Sequence, residues 1–258
     1  MAQDRRGTFV WYELMTTDSP AAQAFYKDVV GWGTTPFEGG PIPYTMWQNG
    51  ETPVGGVFEI PKEGEHAAPP SWMAHVAVPD VDATAAQVKK LGGKILMGPQ
   101  DVPNVGRYVV FADPQGAVIA AFRGVNEMGP DADPEPGDVS WRELATTDYE
   151  KAFDFYSELF GWEKQDAIDM GEAGVYQMYG VAGRMLGGMY DKTADQPGPP
   201  AWLYYIRVKD LDSAVATVRD KGGKIVVEPM EVPGGSRIAV GLDPQGAAFG
   251  LHQAALQS

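Results

Sequence analysis

The stretch Trp11-Tyr-Glu-Leu-Met-Thr-Thr-Asp18 returns as Trp141-Arg-Glu-Leu-Ala-Thr-Thr-Asp148. The first copy continues through Phe25-Tyr26 and ends at Gly31-Trp32; the second continues through Phe155-Tyr156 and ends at Gly161-Trp162. Each landmark is 130 residues from its copy. A fixed period of this length means duplicated architecture, and every other reading follows from it.

Within the copy, residues 8–15 alternate apolar with other residues and read as a strand. Thr17-Asp18-Ser19-Pro20 supplies a capping side chain and a first-turn Pro. Ala22, Phe25, Tyr26 and Val29 then fall on one helical face, and Gly31 stands where the helix should stop. Short extended runs follow at Tyr44–Gln48 and Val54–Ile60, with the turn pair Asn49-Gly50 between them. Beyond Pro69-Pro70 the pattern begins again. Trp72–Val78 reads as a strand and Asp80-Val-Asp82 opens a helix closed by Gly92-Gly93. Three strands follow, Lys94–Gly98, Arg107–Ala112 and Ala117–Arg123, the last two joined by the turn Asp113-Pro-Gln-Gly116. Trp72, Gly92-Gly93 and Asp113-Pro-Gln-Gly116 all recur in the second half as Trp202, Gly222-Gly223 and Asp243-Pro-Gln-Gly246. One region slips: Gly55-Gly56 matches Gly187-Gly188 at an offset of 132. Residues 125–137 are rich in Pro and acid and read as a linker between domains at 8–124 and 138–254.

The net charge of −15 disfavours nucleic acid and anionic membrane surfaces as partners. The absence of cysteine excludes disulfides, thiolate metal sites and a Cys nucleophile. No apolar run is long enough for a spanning helix and the N-terminus lacks a signal-type core, so the expected address is the cytoplasm. No phosphate loop or dinucleotide fingerprint is present, and three scattered His residues offer no Ser–His–Asp set.

Four βαβββ modules, Phe-Tyr helices and Asp-Pro-x-Gly turns together resemble the vicinal-oxygen-chelate superfamily of glyoxalase I, bleomycin-resistance proteins and extradiol dioxygenases. The pattern is most similar to the tandem glyoxalase-like proteins of actinobacteria, often labelled hydroxylases. The resemblance implies an α+β fold of two tandem glyoxalase-like domains, whose strands curl into cups that bind a ligand. It also implies metal ligands on four strands. Carried over, those positions fall at Trp11 and Trp141, near Gly56 and Gly188, near Met73 and Leu203, and at Ala120 and Gly250. None offers a donor suited to a hard or borderline cation. No metal ligand is therefore assigned and no cofactor is expected, with a divalent metal as the alternative.

Strand parity sets Trp11, Glu13 and Met15 on one face, which the resemblance turns into the cup. Glu13 and Glu143 are the candidate catalytic carboxylates, since burial beside an indole raises a carboxyl pKa. Their alternative role is to pair with Arg107 and Arg237 and fix the scaffold. Trp11, His75, Arg107, Phe122, Trp141, Tyr205, Arg237 and His252 are the candidate ligand contacts. Aromatic floors suit a flat or hydrophobic organic molecule. The expected function is metal-free binding of such a metabolite by a monomer or homodimer. The competing readings are a lyase, isomerase or oxygenase using a Glu or a metal, and a non-catalytic interaction role.

Overall fold

A computed structural model describes residues 5–39, 42–61, 68–126, 133–196 and 198–255. The first repeat runs β1 (Phe9–Thr16), α1 (Ser19–Val30), β2 (Gly33–Phe37), β3 (Tyr44–Asn49), β4 (Thr52–Glu59), β5 (Ser71–Ala77), α2 (Val81–Lys90), β6 (Lys94–Val102), β7 (Gly106–Ala112) and β8 (Val118–Gly124). The second runs β9 (Val139–Thr146), α3 (Tyr149–Phe160), β10 (Glu163–Asp169), β11 (Val175–Val181), β12 (Arg184–Asp191), β13 (Ala201–Arg207), α4 (Leu211–Asp220), β14 (Lys224–Glu231), β15 (Arg237–Leu242) and β16 (Ala248–Gln253). The strands form two eight-stranded sheets, ordered β2-β3-β4-β1-β5-β8-β7-β6 and β10-β11-β12-β9-β13-β16-β15-β14. This is the expected α+β fold of βαβββ modules.

All four helices start on an Asp. The side chains of Asp18, Asp80, Asp148 and Asp210 accept from first-turn amides, Asp18 from Ala21 N at 3.0 Å and Asp148 from Lys151 N at 3.0 Å. Helix α1 ends at Gly31, whose φ of 83° is left-handed, and buries Ala22, Phe25, Tyr26 and Val29 as its spacing predicts. Strand β2 completes the three strands that the βαβββ order requires after α1, at 33–37 where the residues show no extended run. Its first four residues are exposed and it forms a sheet edge, so it carries no two-residue apolar alternation to detect.

By contact density the chain divides into two units that do not follow the repeats. The first comprises Met1–Trp11, Met73–Asp131 and Trp141–Trp202; the second comprises Tyr12–Trp72, Ala132–Ser140 and Leu203–Ser258. Each core is therefore built from both repeats. In the first unit Phe111 of β7 packs on Phe155 and Phe160 of α3, with ring centroids 6.1 and 6.4 Å away. In the second, Phe249 of β16 packs on Phe25 and Tyr26 of α1 at 5.7 and 5.5 Å.

Each core also encloses a polar relay. In the first unit Trp202 Nε1 donates to Tyr156 Oη at 3.2 Å, and Tyr156 Oη donates to Asp113 Oδ2 at 2.9 Å. In the second, Trp72 Nε1 donates to Tyr26 Oη at 2.9 Å, and Tyr26 Oη donates to Asp243 Oδ2 at 3.3 Å. The other oxygen of Asp113 accepts from the amides of Gln115, Gly116 and Ala117. Asp243 does the same for Gln245 and Ala247. Both carboxyls are 3% exposed, and burial raises their pKa above the ordinary Asp value. The Asp-Pro-Gln-Gly motif is a turn, as expected, but its Asp also anchors a helix Tyr of the other repeat.

The Gly-Trp helix endings have a parallel use. Trp162 Nε1 donates to Gly7 O and Trp32 Nε1 to Gly137 O, both at 2.7 Å. Each indole thereby holds the chain that leads into a first strand of the opposite repeat.

Candidate functional site

The faces that the resemblance assigns to ligand binding are built from local side-chain clusters. In the first unit, Trp141 and Glu143 lie two residues apart on β9 and meet Tyr176 of β11. Trp141 Nε1 donates to Tyr176 Oη at 2.7 Å, and Tyr176 Oη donates to Glu143 Oε2 at 2.9 Å. The ring of Tyr190 stacks on Tyr176 at 6.0 Å, and its hydroxyl accepts from Gln196 Nε2 at 3.2 Å. Burial pushes the Tyr176 phenol well above its usual range, and the Glu143 charge adds to the shift. The phenol is therefore a fixed donor and Glu143 an acceptor.

The second unit holds the counterpart. Tyr44 Oη donates to Glu13 Oε1 at 2.9 Å, and Phe58 stacks on Tyr44 at 6.2 Å. Trp11, which belongs to the first unit, is half-buried and has the parity of Glu13 along β1.

These tyrosines answer why glycine stands where a metal ligand is expected. Gly56 lies in register with Glu13, and Gly188 with Glu143. A Cβ on Gly56 would fall 2.0 Å from Tyr44 Oη; one on Gly188 would fall 2.1 Å from Tyr176 Cε1. At Gly250 it would fall 2.3 Å from Tyr205 Cδ1. Real Cβ atoms do not approach so closely, so each ring occupies the volume of the missing side chain. Among the described residues no group of three or more His, Asp or Glu is placed to hold a metal ion. The donors at the carried-over positions, two indoles, a thioether and apolar or absent side chains, do not fit a divalent cation.

The other expected contacts divide into those that meet and those that do not. His75 is 5% exposed and lies in register with Ala120. Its ring is 6.0 Å from Tyr108 and 6.1 Å from Phe122. Tyr205 lies in register with Gly250, and Arg207 with His252. Ser140 Oγ joins this group, 2.7 Å from His252 Nδ1 and 3.3 Å from Tyr205 O. Burial lowers the His252 pKa, and Arg207 lowers it further. His66 lies outside the described residues.

Arg107 and Arg237 correct the sequence reading. Arg107 donates to both Asp82 oxygens and to Asp101, at 2.8–2.9 Å. Arg237 donates to both Asp212 oxygens at 2.9 Å. Neither pairs with a site Glu. The reason is parity: Arg107 shares its side of β7 with the fully buried Val109 and Phe111, the side that packs on helices. The acids come chiefly from the first turns of α2 and α4, and Arg107 holds the Asp82 carboxyl below its usual range.

Tyr44, Tyr176, Tyr108 and Ser140 escaped the sequence reading. Tyr44 and Tyr176 correspond at the shifted offset of 132, so an alignment held at 130 separates them. The glycine pairs that reveal the shift are the signal that could have found them.

The model of the Glyoxalase/Bleomycin resistance protein/Dioxygenase superfamily matches residues 8–121 and again 139–251. "Putative glyoxylase CFP32" of Mycobacterium tuberculosis (strain CDC 1551 / Oshkosh) is 33% identical over 98% of this chain and 97% of that protein. "Anthracycline biosynthesis protein DnrV" of Streptomyces peucetius is 32% identical over 95% of this chain and 92% of that protein. Among solved structures, the Mn(II)-bound glyoxalase from Novosphingobium aromaticivorans covers 98% of this chain and 83% of its own, with a TM-score of 0.65 and 18% identity. The 2,2',3-trihydroxybiphenyl 1,2-dioxygenase of Sphingomonas wittichii strain RW1 covers 96% and 91%, with a TM-score of 0.67 and 14% identity. At such identities these structures speak for the fold alone.

Proposed function

Because the chain belongs to the Glyoxalase/Bleomycin resistance protein/Dioxygenase superfamily, with two tandem domains of that family, we propose that it binds a small planar aromatic metabolite without a resident metal. The observation that carries this reading is the filling of three expected ligand positions by tyrosine rings, at Gly56, Gly188 and Gly250. An aromatic wall recognises a flat molecule through stacking and apolar burial. In the first unit the proposed contacts are Trp141, Tyr176 and Glu143, and separately His75 and Phe122. In the second they are Glu13 with Tyr44, and Tyr205 with His252. Trp11 is the proposed floor residue of the first repeat. One relative is named for the biosynthesis of anthracyclines, which are polycyclic aromatic compounds, and this agrees with the ligand class.

The test is titration of the purified protein with 2-methoxyanthraquinone, read by quenching of its seven tryptophans, with and without a strong chelator. Saturable quenching that the chelator leaves unchanged is the expected result. Stoichiometric bound metal, with binding abolished by chelation, would overturn the proposal.

A second reading is favoured by the chain of bonds from Trp141 through Tyr176 to Glu143. A carboxylate oriented by a fixed donor can act as a general base in a lyase or isomerase. Turnover of a discovered substrate that survives Glu143→Gln would remove this reading.

A further inference from the structure

His252 and Ser140 are two positions at which the second repeat departs from the first, where Phe122 and Val10 stand. In the folded chain these two departures touch. Ser140 Oγ lies 2.7 Å from His252 Nδ1 and 3.3 Å from the carbonyl oxygen of Tyr205. A serine hydroxyl has one proton to donate. The Tyr205 carbonyl can only accept, so that contact is a hydrogen bond only if it takes the serine proton. With the serine proton on the Tyr205 carbonyl, the shorter contact is made by a proton on Nδ1, donated to the serine oxygen; the opposite tautomer would give up the Tyr205 bond. A neutral imidazole carries one N–H, so Nε2 is left as an acceptor. Among the described residues none donates to it.

Around the ring stand Arg207, in register on β13, and Ile238, in register on β15. Arg207 is itself turned to the carbonyl oxygen of Pro134. Burial keeps the imidazole neutral below the ordinary histidine range, with Arg207 acting in the same sense.

We infer that Ser140 is a positioning residue that locks His252 as its Nδ1–H tautomer, and that Nε2 accepts a hydrogen bond from an acidic hydroxyl of the ligand, a phenol or an enol. This rests on the reading that the protein binds an aromatic compound and adds a required functional group. Phe122 cannot do the same, so the second repeat alone distinguishes hydroxylated from masked ligands.

Two measurements test it. The first is nitrogen NMR of protein labelled in its three histidines, with His252→Phe identifying the His252 signals. A neutral ring protonated on Nδ1 is expected, moving toward the Nε2–H form in Ser140→Val and retained in Ser140→Thr. A wild-type ring protonated on Nε2 would overturn the inference. The second compares 2-hydroxyanthraquinone with 2-methoxyanthraquinone. Wild-type protein should prefer the phenol by about two- to tenfold, the range of one net hydrogen bond. His252→Phe, which copies the first repeat, should bring the phenol-to-ether affinity ratio to about one, whatever it does to the affinity for either compound. Equal binding of both compounds by wild type would defeat the inference and leave the aromatic-ligand reading intact. Binding of neither would defeat both.

Discussion

In the first repeat His75 stands beside Ala120; in the second Tyr205 stands beside Gly250. The backbone register is the same, yet the volume is divided differently. The Tyr205 ring lies where a Cβ on residue 250 would be, whereas Ala120 carries a methyl in register with His75. The smaller residue follows from the larger ring beside it. The same exchange appears at Gly56 under Tyr44 and at Gly188 under Tyr176. Loss of a side chain at these positions is therefore not an empty space but a change of occupant.

The largest expected effect tests that exchange directly. Gly250→Ala should cost about 2–3 kcal/mol of unfolding free energy by overpacking against Tyr205. Adding Tyr205→His, which imports the pair of the first repeat, should recover most of it. Urea denaturation of the two variants decides the matter, and a neutral Gly250→Ala would show that the ring is not pinned.

The two core relays offer a finer comparison. Tyr156 reaches Asp113 at 2.9 Å, but Tyr26 reaches Asp243 only at 3.3 Å. Removing either hydroxyl leaves a buried carboxyl short of a donor, at a cost on the order of 1 kcal/mol. Each variant also strips an indole of its acceptor, and there the order reverses, with Trp202 at 3.2 Å from Tyr156 and Trp72 at 2.9 Å from Tyr26. Tyr156→Phe and Tyr26→Phe should therefore cost similar amounts in thermal or urea unfolding; a large gap between them would discredit the distances as a guide.

The smallest effect concerns pH. His252 has a folded pKa below its unfolded value. On acidification the unfolded chain takes up this proton first, so the stability linked to His252 is present above the ordinary pKa of 6.5. It is lost as pH falls toward the depressed folded value. His252→Phe, the residue of the first repeat, should flatten this part of the stability profile. An unchanged slope would mean that the ring is as solvated folded as unfolded.

Much of the architecture was legible in the residues. The repeated Trp-x-Glu-Leu strand, the Asp caps and the Phe25-Tyr26 helix face are short-range signals, each complete within a few residues. Strand β2 was not, because a strand exposed at a sheet edge needs no apolar alternation. The candidate site was read in part. Glu13 and Glu143 were picked out, but their tyrosine partners lay behind a two-residue slip between the repeats. Arg107 and Arg237, read as possible partners of those carboxylates, meet Asp82 and Asp212 instead, since charge complementarity says nothing about which acid lies within reach.

Sequence alone determined the duplication, the βαβββ order and the lack of metal donors at the carried-over positions, because each is stated by residue type and spacing. Only the tertiary structure decided which helix serves which turn, as when Tyr26 meets Asp243 across 217 residues of chain. It also decided which ring fills the volume above each glycine and that Ser140 meets His252. Those outcomes depend on distances of a few ångströms between residues far apart in the chain, and no local pattern encodes them.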